Sequence, residues 1–232
     1  MSKRGLVLIG LVAMVFAAWG CGGSSGGESG SAHVNEDSGS THGLVRDERE
    51  GTPPSPPEAT DLKKLADAAN CFLFLNYREK KPRELPPGAE PPEYTTNPPT
   101  SGPRVEPPEQ QADGAYLIEP DPLNMVGALD DGRMAIAYAP DMPEDIQLEL
   151  KGLYDTMYGG TLFNPDDDMQ FAVAATTWAN FLGCTAFEGQ KTIDVIRAFG
   201  KATWGKSGTK PVDSFPVEGP TPANPETSTS DE

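Results

Sequence analysis

The sequence predicts an α+β domain: a small antiparallel or mixed sheet with helices on one face, a long proline-rich loop, and disordered tails. Three observations lead there. Between residues 60 and 204, stretches with helical spacing alternate with short apolar runs of strand character. Prolines crowd residues 80–109 so densely that neither helix nor ladder persists. Outside 60–204 large apolar residues are too few to bury a core.

The elements follow in order. Thr60 is a candidate N-cap for a short helix with Leu62, Leu65, Ala66 and Ala69 on one face. Cys71–Tyr77 reads as a strand, too apolar for a wetted edge. After the proline-rich loop, Asn124–Leu129 and Arg133–Ala139 read as a hairpin turning at Asp130-Asp131-Gly132. Pro140–Pro143 then leads into a helix, with Glu144 and Asp145 in its first turn and Ile146, Leu150, Leu153, Tyr154 and Met157 at helical spacing; Gly159-Gly160 closes it. Residues 171–178 and 179–187 read as two strands or one bent strand. A last helix, about Gln190–Ala202, buries Ile193, Ile196 and Phe199.

The N-terminus is expected to direct export. Lys3 and Arg4 precede an uncharged apolar run from Leu6 to Ala18, shorter than the roughly 20 residues of a membrane-spanning helix. Ala18-Trp19-Gly20-Cys21 resembles a bacterial lipobox, although Trp19 stands where a small residue is usual. The expected organisation is a signal peptide at 1–20, a disordered Gly/Ser/Pro-rich tether at 21–59, the domain at 60–204 and an acidic, proline-rich tail at 205–232. Lipidation of Cys21, palmitate included, would attach the protein to the membrane of a bacterial cell envelope, on its extracytoplasmic side. An ordinary cleaved signal is the alternative. Stable anchoring takes more than one acyl chain, at about 0.8 kcal/mol per buried methylene.

The formal net charge of −17 excludes nucleic acid as a partner, since phosphate binding requires clustered Lys and Arg. With Cys21 assigned to lipid, Cys71 and Cys184 remain as a pair. An oxidising compartment favours a disulfide between them, with two buried free thiols as the alternative. Both histidines, His33 and His42, fall in the tether, so the domain holds no Ser-His-Asp or Cys-His constellation. No catalytic residue, cofactor or metal is assigned. Cys71 has no Cys-x-x-Cys partner that would make it a redox thiol. Asp130 and Asp131 read as turn residues. Asn164, Asp166 and Asp168 resemble part of a calcium loop but lack its glycine and closing glutamate. Trp178, Phe181 and Phe187 read as packing.

The run Tyr94-Thr95-Thr96-Asn97-Pro98-Pro99-Thr100-Ser101-Gly102-Pro103 is distinctive. Gly114-Ala115-Tyr116, Met125–Gly132, Ala174–Trp178 and Phe199-Gly200-Lys201 accompany it. Together they resemble the bacterial envelope family called domain of unknown function 3105, over about Leu65–Lys201. The resemblance implies an exported, membrane-attached protein and carries no activity with it. It also implies histidines that this chain lacks: Arg104, Gly127 and Asp131 stand at three of their positions, and Asp130 replaces a glutamate. A metal site of the family would thus lose its imidazole ligands here.

Two readings remain for the proline motif. It is a rigid wrapper over the sheet, or a binding loop of Tyr94, Asn97, Pro98, Pro99, Thr100, Ser101, Gly102, Arg104 and Tyr116, with Tyr94, Arg104 and Tyr116 lining a groove. The function expected is a non-catalytic, lipid-anchored module that binds or scaffolds an envelope protein or ligand. The alternatives are a metal-handling or redox protein and an enzyme that works through carboxylates.

Overall fold

A computed structural model of the chain describes residues 39–57, 59–77, 83–157 and 160–205. Cys21, His33, the signal segment and the acidic tail lie outside the described residues. The described part is α+β, with four helices and a six-stranded mixed sheet of order β1-β6-β5-β3-β4-β2. The strands are β1 (Cys71–Phe74), β2 (Gly114–Ala115), β3 (Met134–Tyr138), β4 (Thr161–Pro165), β5 (Val173–Thr177) and β6 (Asn180–Cys184). The helices are α1 (Leu62–Ala68), α2 (Pro122–Asp130), α3 (Glu144–Asp155) and α4 (Gln190–Thr203).

Pleating sorts the sheet's side chains into two layers. Met134, Ile136, Phe163, Val173, Ala175, Leu182 and Cys184 meet α1, α3 and α4 in the main core. The intervening Ala135 and Leu162 face α2, through Met125, Ala128 and Leu129. The one-face expectation therefore holds for α1, α3 and α4, while α2 lies across the opposite face.

The hairpin expected at 124–139 is not formed; its first half is α2. Asp121 caps that helix, its carboxylate accepting from the Leu123 N–H at 2.8 Å, and Pro122 occupies the first turn, where its missing N–H costs nothing. Every residue from Leu123 to Asp130 is buried, so the helix shows no polar stripe and its apolar run mimics a strand. The second half, β3, stands where it was expected.

Asp61, not Thr60, caps α1, accepting from Lys64 N–H at 3.1 Å. The strand expected at 71–77 is shorter and differently placed. β1 is an edge strand, bonded to β6 alone, with Phe72 at 52% and Phe74 at 49% exposure. β4 carries little strand signal in sequence, because its apolar run is only Leu162-Phe163, between Gly159-Gly160 and Pro165. It is a buried inner strand, parallel to β3 and reached through α3. β5 and β6 form an antiparallel hairpin turning at Trp178-Ala179, with Ala179 at φ 61°.

Residues 39–57, read from sequence as tether, instead pack along the domain. Ser40 N–H donates to Gln110 O and Ser40 O accepts from Ala112 N–H, each at 2.9 Å, and Asp47 N–H donates to Ala115 O at 2.9 Å, covering β2. Thr52 N–H donates to Leu148 O at 2.8 Å, and the Ser55 carbonyl accepts from Arg197 at 2.6 Å. A Cβ on Gly152 would lie 1.8 Å from Thr52 O, so glycine is what lets this segment close on α3. Composition concealed the docking because backbone groups, not apolar side chains, make most of it.

β1 is stapled to β6. Cys71 stands opposite Cys184 in the ladder, their Cα atoms 4.1 Å apart, and the two form a disulfide closing a separation of 113 residues.

Candidate functional site: an aromatic cleft beside the proline motif

The proline motif fastens itself down with polar contacts. Tyr94 Oη donates to Pro103 O at 2.6 Å, Ala179 N–H to Thr100 O at 2.9 Å, and Asn97 Nδ2 to Asp166 Oδ1 at 3.1 Å. Pro98, Pro99, Thr100, Ser101 and Gly102 are buried, and the Asn97–Pro98 and Pro107–Pro108 peptides are cis. The groove of Tyr94, Arg104 and Tyr116, one of the two readings of the motif, is not formed. Arg104 is buried in ion pairs. Tyr116 is fully buried and spends its hydroxyl on Ala112 O at 2.6 Å. A bulky polar side chain near a motif looks like a groove wall in sequence, and burial decides otherwise.

Tyr94 instead borders a different cleft, of about 320 Å³, between the motif and the β1–β6 end of the sheet. Phe74, Phe171 and Phe181 supply its aromatic wall; Thr95, Thr96, Asn97, Asp168 and Gln170 supply its polar rim. Phe171 and Phe181 lie 5.3 Å apart at 59°, and Phe181 and Phe74 6.3 Å apart at 48°, so the rings make a curved wall and not a flat stack. Gly183 makes this seating workable. A Cβ there would come 2.6 Å from Phe181 and 2.8 Å from Phe171. In sequence Phe181 reads as packing and Asp168 as part of the incomplete calcium-like run, while Phe74, Phe171, Gln170 and Gly183 carry no site signal of their own. The alternating Phe72-Leu73-Phe74 was the one available signal, since period two puts both phenylalanines on the same face.

The cleft's surroundings are acidic. Asp166 is buried and its pKa lies above the usual carboxylate range, first because burial disfavours its charge and further because Asp168 and Asp167 repel it; the Asn97 amide opposes this. Glu119 accepts from Asp167 N–H at 3.0 Å and is raised in the same way, by burial and by the three neighbouring aspartates. Asn164 is buried in β4, with Nδ2 on Pro165 O at 2.8 Å. Among the described residues, no three His, Cys, Asp or Glu side chains are grouped to hold a metal ion.

A second polar cluster joins the proline-rich loop to α2. Arg104 Nε meets Asp130 at 2.6 Å and Arg104 Nη2 meets Glu106 at 2.8 Å. Arg133 lies 3.3 Å from Asp113 and 3.4 Å from Asp131, which also accepts from Gln110 at 3.3 Å. Asp113 takes the Gly160 N–H at 2.7 Å. Burial raises its pKa despite the nearby Arg133.

The family model described as Protein of unknown function (DUF3105) matches residues 88–212 of the 232. The chain belongs to that family. No curated protein and no solved structure gives a significant match. The DUF3105 match takes in the proline motif, α2 and most of the cleft, and begins after β1, leaving Cys71 and Phe74 upstream of it.

Against the histidine pattern noted in the sequence, the geometry is informative. Arg104 reaches Asp130, and Gln110 bonds Asp131 while touching Gly127's side of α2, so the four substituted positions share one locality. A Cβ at Gly127 would lie 2.9 Å from Val105 O. Glycine there lets the loop settle onto α2, and the guanidinium supplies the positive charge among the carboxylates. In this DUF3105 chain the locality is a closed, salt-bridged joint.

Proposed function

We propose that this DUF3105 protein is a non-catalytic binding module, held at the extracytoplasmic membrane surface by lipid on Cys21, with the aromatic cleft as its recognition site. The observation that carries the reading is the cleft itself. It is concave, walled by aromatic rings, rimmed by convergent polar groups, and built on rigid strands and a loop fixed by its own hydrogen bonds. The domain's charged side chains favour binding over catalysis. Arg104, Arg133, Asp113 and Asp130 are used in the loop–α2 joint, Glu119 bonds the Asp167 backbone, and Asp166 bonds Asn97. The metal-handling alternative has less support, because Arg104 and two aspartates occupy the locality where histidines would stand.

Capture from chemically crosslinked envelopes, comparing the natural chain with Gly183→Val, tests the recognition site. A valine displaces Phe171 and Phe181, and reproducible partners are expected to be lost although the domain still unfolds cooperatively. Equal capture by both proteins refutes the assignment of the cleft. For the anchor, Cys21→Ser is expected to move the protein from the membrane to the soluble fraction; retention in the membrane fraction counts against lipidation.

A further inference from the structure

The cleft's chemistry narrows what it can hold. Among the described residues no Lys or Arg lines it, while Asp168 does, and Asn97 on its rim bonds to Asp166 in the same acidic turn. Phosphates, sulfates and carboxylates would meet the Asp168 carboxylate there, on a protein of net charge −17. Aromatic faces present the negative side of their quadrupole, and a cation within about 6 Å of the ring centroid is attracted to it. Phe74, Phe171 and Phe181 stand tilted to one another and line one space with Tyr94, so one positive group could meet several rings together. The volume of about 320 Å³ is at the small end of ligand pockets and suits a compact head group.

We propose that the aromatic cleft binds an ammonium group, its charge shared between the rings of Phe74, Tyr94, Phe171 and Phe181 and the carboxylate of Asp168. This rests on the cleft being the recognition site. An ammonium has two sources: a small quaternary amine, or a lysine side chain presented by a protein. Gly183 and the Tyr94–Pro103 hydrogen bond hold the walls in place before the ligand arrives, which lowers the ordering cost of binding.

The test is a titration of the full chain, followed by NMR of ring and amide signals, with four probes. These are tetramethylammonium, choline, the N-acetyl amide of lysine, and 3,3-dimethylbutan-1-ol as the uncharged counterpart of choline. Saturable shifts at Phe74, Tyr94 and Phe171 are expected with at least one cation, and the uncharged alcohol is expected to bind at least about tenfold more weakly. The tighter of choline and the lysine amide identifies the source. Asp168→Asn and Phe171→Leu should each weaken the cation about two- to thirtyfold, with melting temperatures showing that both variants remain folded. Equal binding of the alcohol, shifts confined to other surfaces, or no saturation by any cation overturns the assignment. If cleft-dependent capture from envelopes persists while the cations fail, the ammonium claim falls and the binding module stands. Cation saturation without such capture has the opposite consequence.

Discussion

At the scale of single residues, charge placement dominates this molecule. Arg104 is 7% exposed and Asp130 3%, so removing the guanidinium takes the 2.6 Å ion pair away from a buried carboxylate. Arg104→Ala is expected to cost about 3–5 kcal/mol in denaturant unfolding, and adding Asp130→Ala should recover part of the loss. A cost within error of zero would mean that the pair does not hold the loop to α2. Asp166 makes a prediction of opposite character. Its folded pKa is raised above the ordinary 3.8, so the native state holds the proton more tightly than the unfolded chain. That stabilisation is complete below pH 3.8 and is lost as pH rises through the folded value. Asp166→Asn should therefore lose less stability than the natural chain between pH 4 and pH 7, as read from melting temperatures across that range. A steeper decline in the variant would contradict the assignment. Neither residue's role was legible in the sequence. In sequence Arg104 belongs to one of two readings of the motif and Asp166 to a calcium-like run that lacks its glycine and closing glutamate, because a residue's type does not show whether it is buried or which distant chain segment meets it.

At the scale of elements, legibility followed amphipathicity. α3 and α4 each carry a one-sided apolar stripe and were read to within a residue or two, as was β3. α2 was mistaken for a strand because both of its sides are covered, by the sheet and by the proline-rich loop. β1 erred the other way. Its apolar Cys71–Phe74 run suggested an inner strand, yet Phe72 and Phe74 reach toward Phe171 and Phe181 at the sheet's edge. The disulfide answers the weakness of such an edge, since among the described strands β1 has only β6 to hold it. Opening a 113-residue loop should remove about 4–5 kcal/mol, most simply seen as a lower denaturant midpoint in reducing buffer or in Cys71→Ser/Cys184→Ser. Thiol labelling of the unfolded, unreduced domain should leave Cys71 and Cys184 unmodified; labelling of both would refute the bridge.

At the scale of the whole molecule, the described pieces form a covered sheet with a cleft at one end. Residues 39–57 and the β2 region close one edge, α2 and the proline motif cover one face, and α1, α3 and α4 cover the other. What remains is the β1–β6 corner, where the motif's Tyr94–Asn97 overhangs three phenylalanines. The surface that faces the proline motif was not legible in the sequence, because strand pairing joins Phe74 to Phe181 and the segment before β5 adds Phe171. The most direct test of the recognition site is position-resolved photo-crosslinking in intact envelopes, with a benzophenone side chain placed at Phe74, at Tyr94 or at Leu117. Leu117 is exposed but lies beside β2, at the far edge of the sheet. The same discrete adducts from positions 74 and 94, and none from 117, are the predicted result. Adducts of equal yield from all three positions, or from 117 alone, would contradict it.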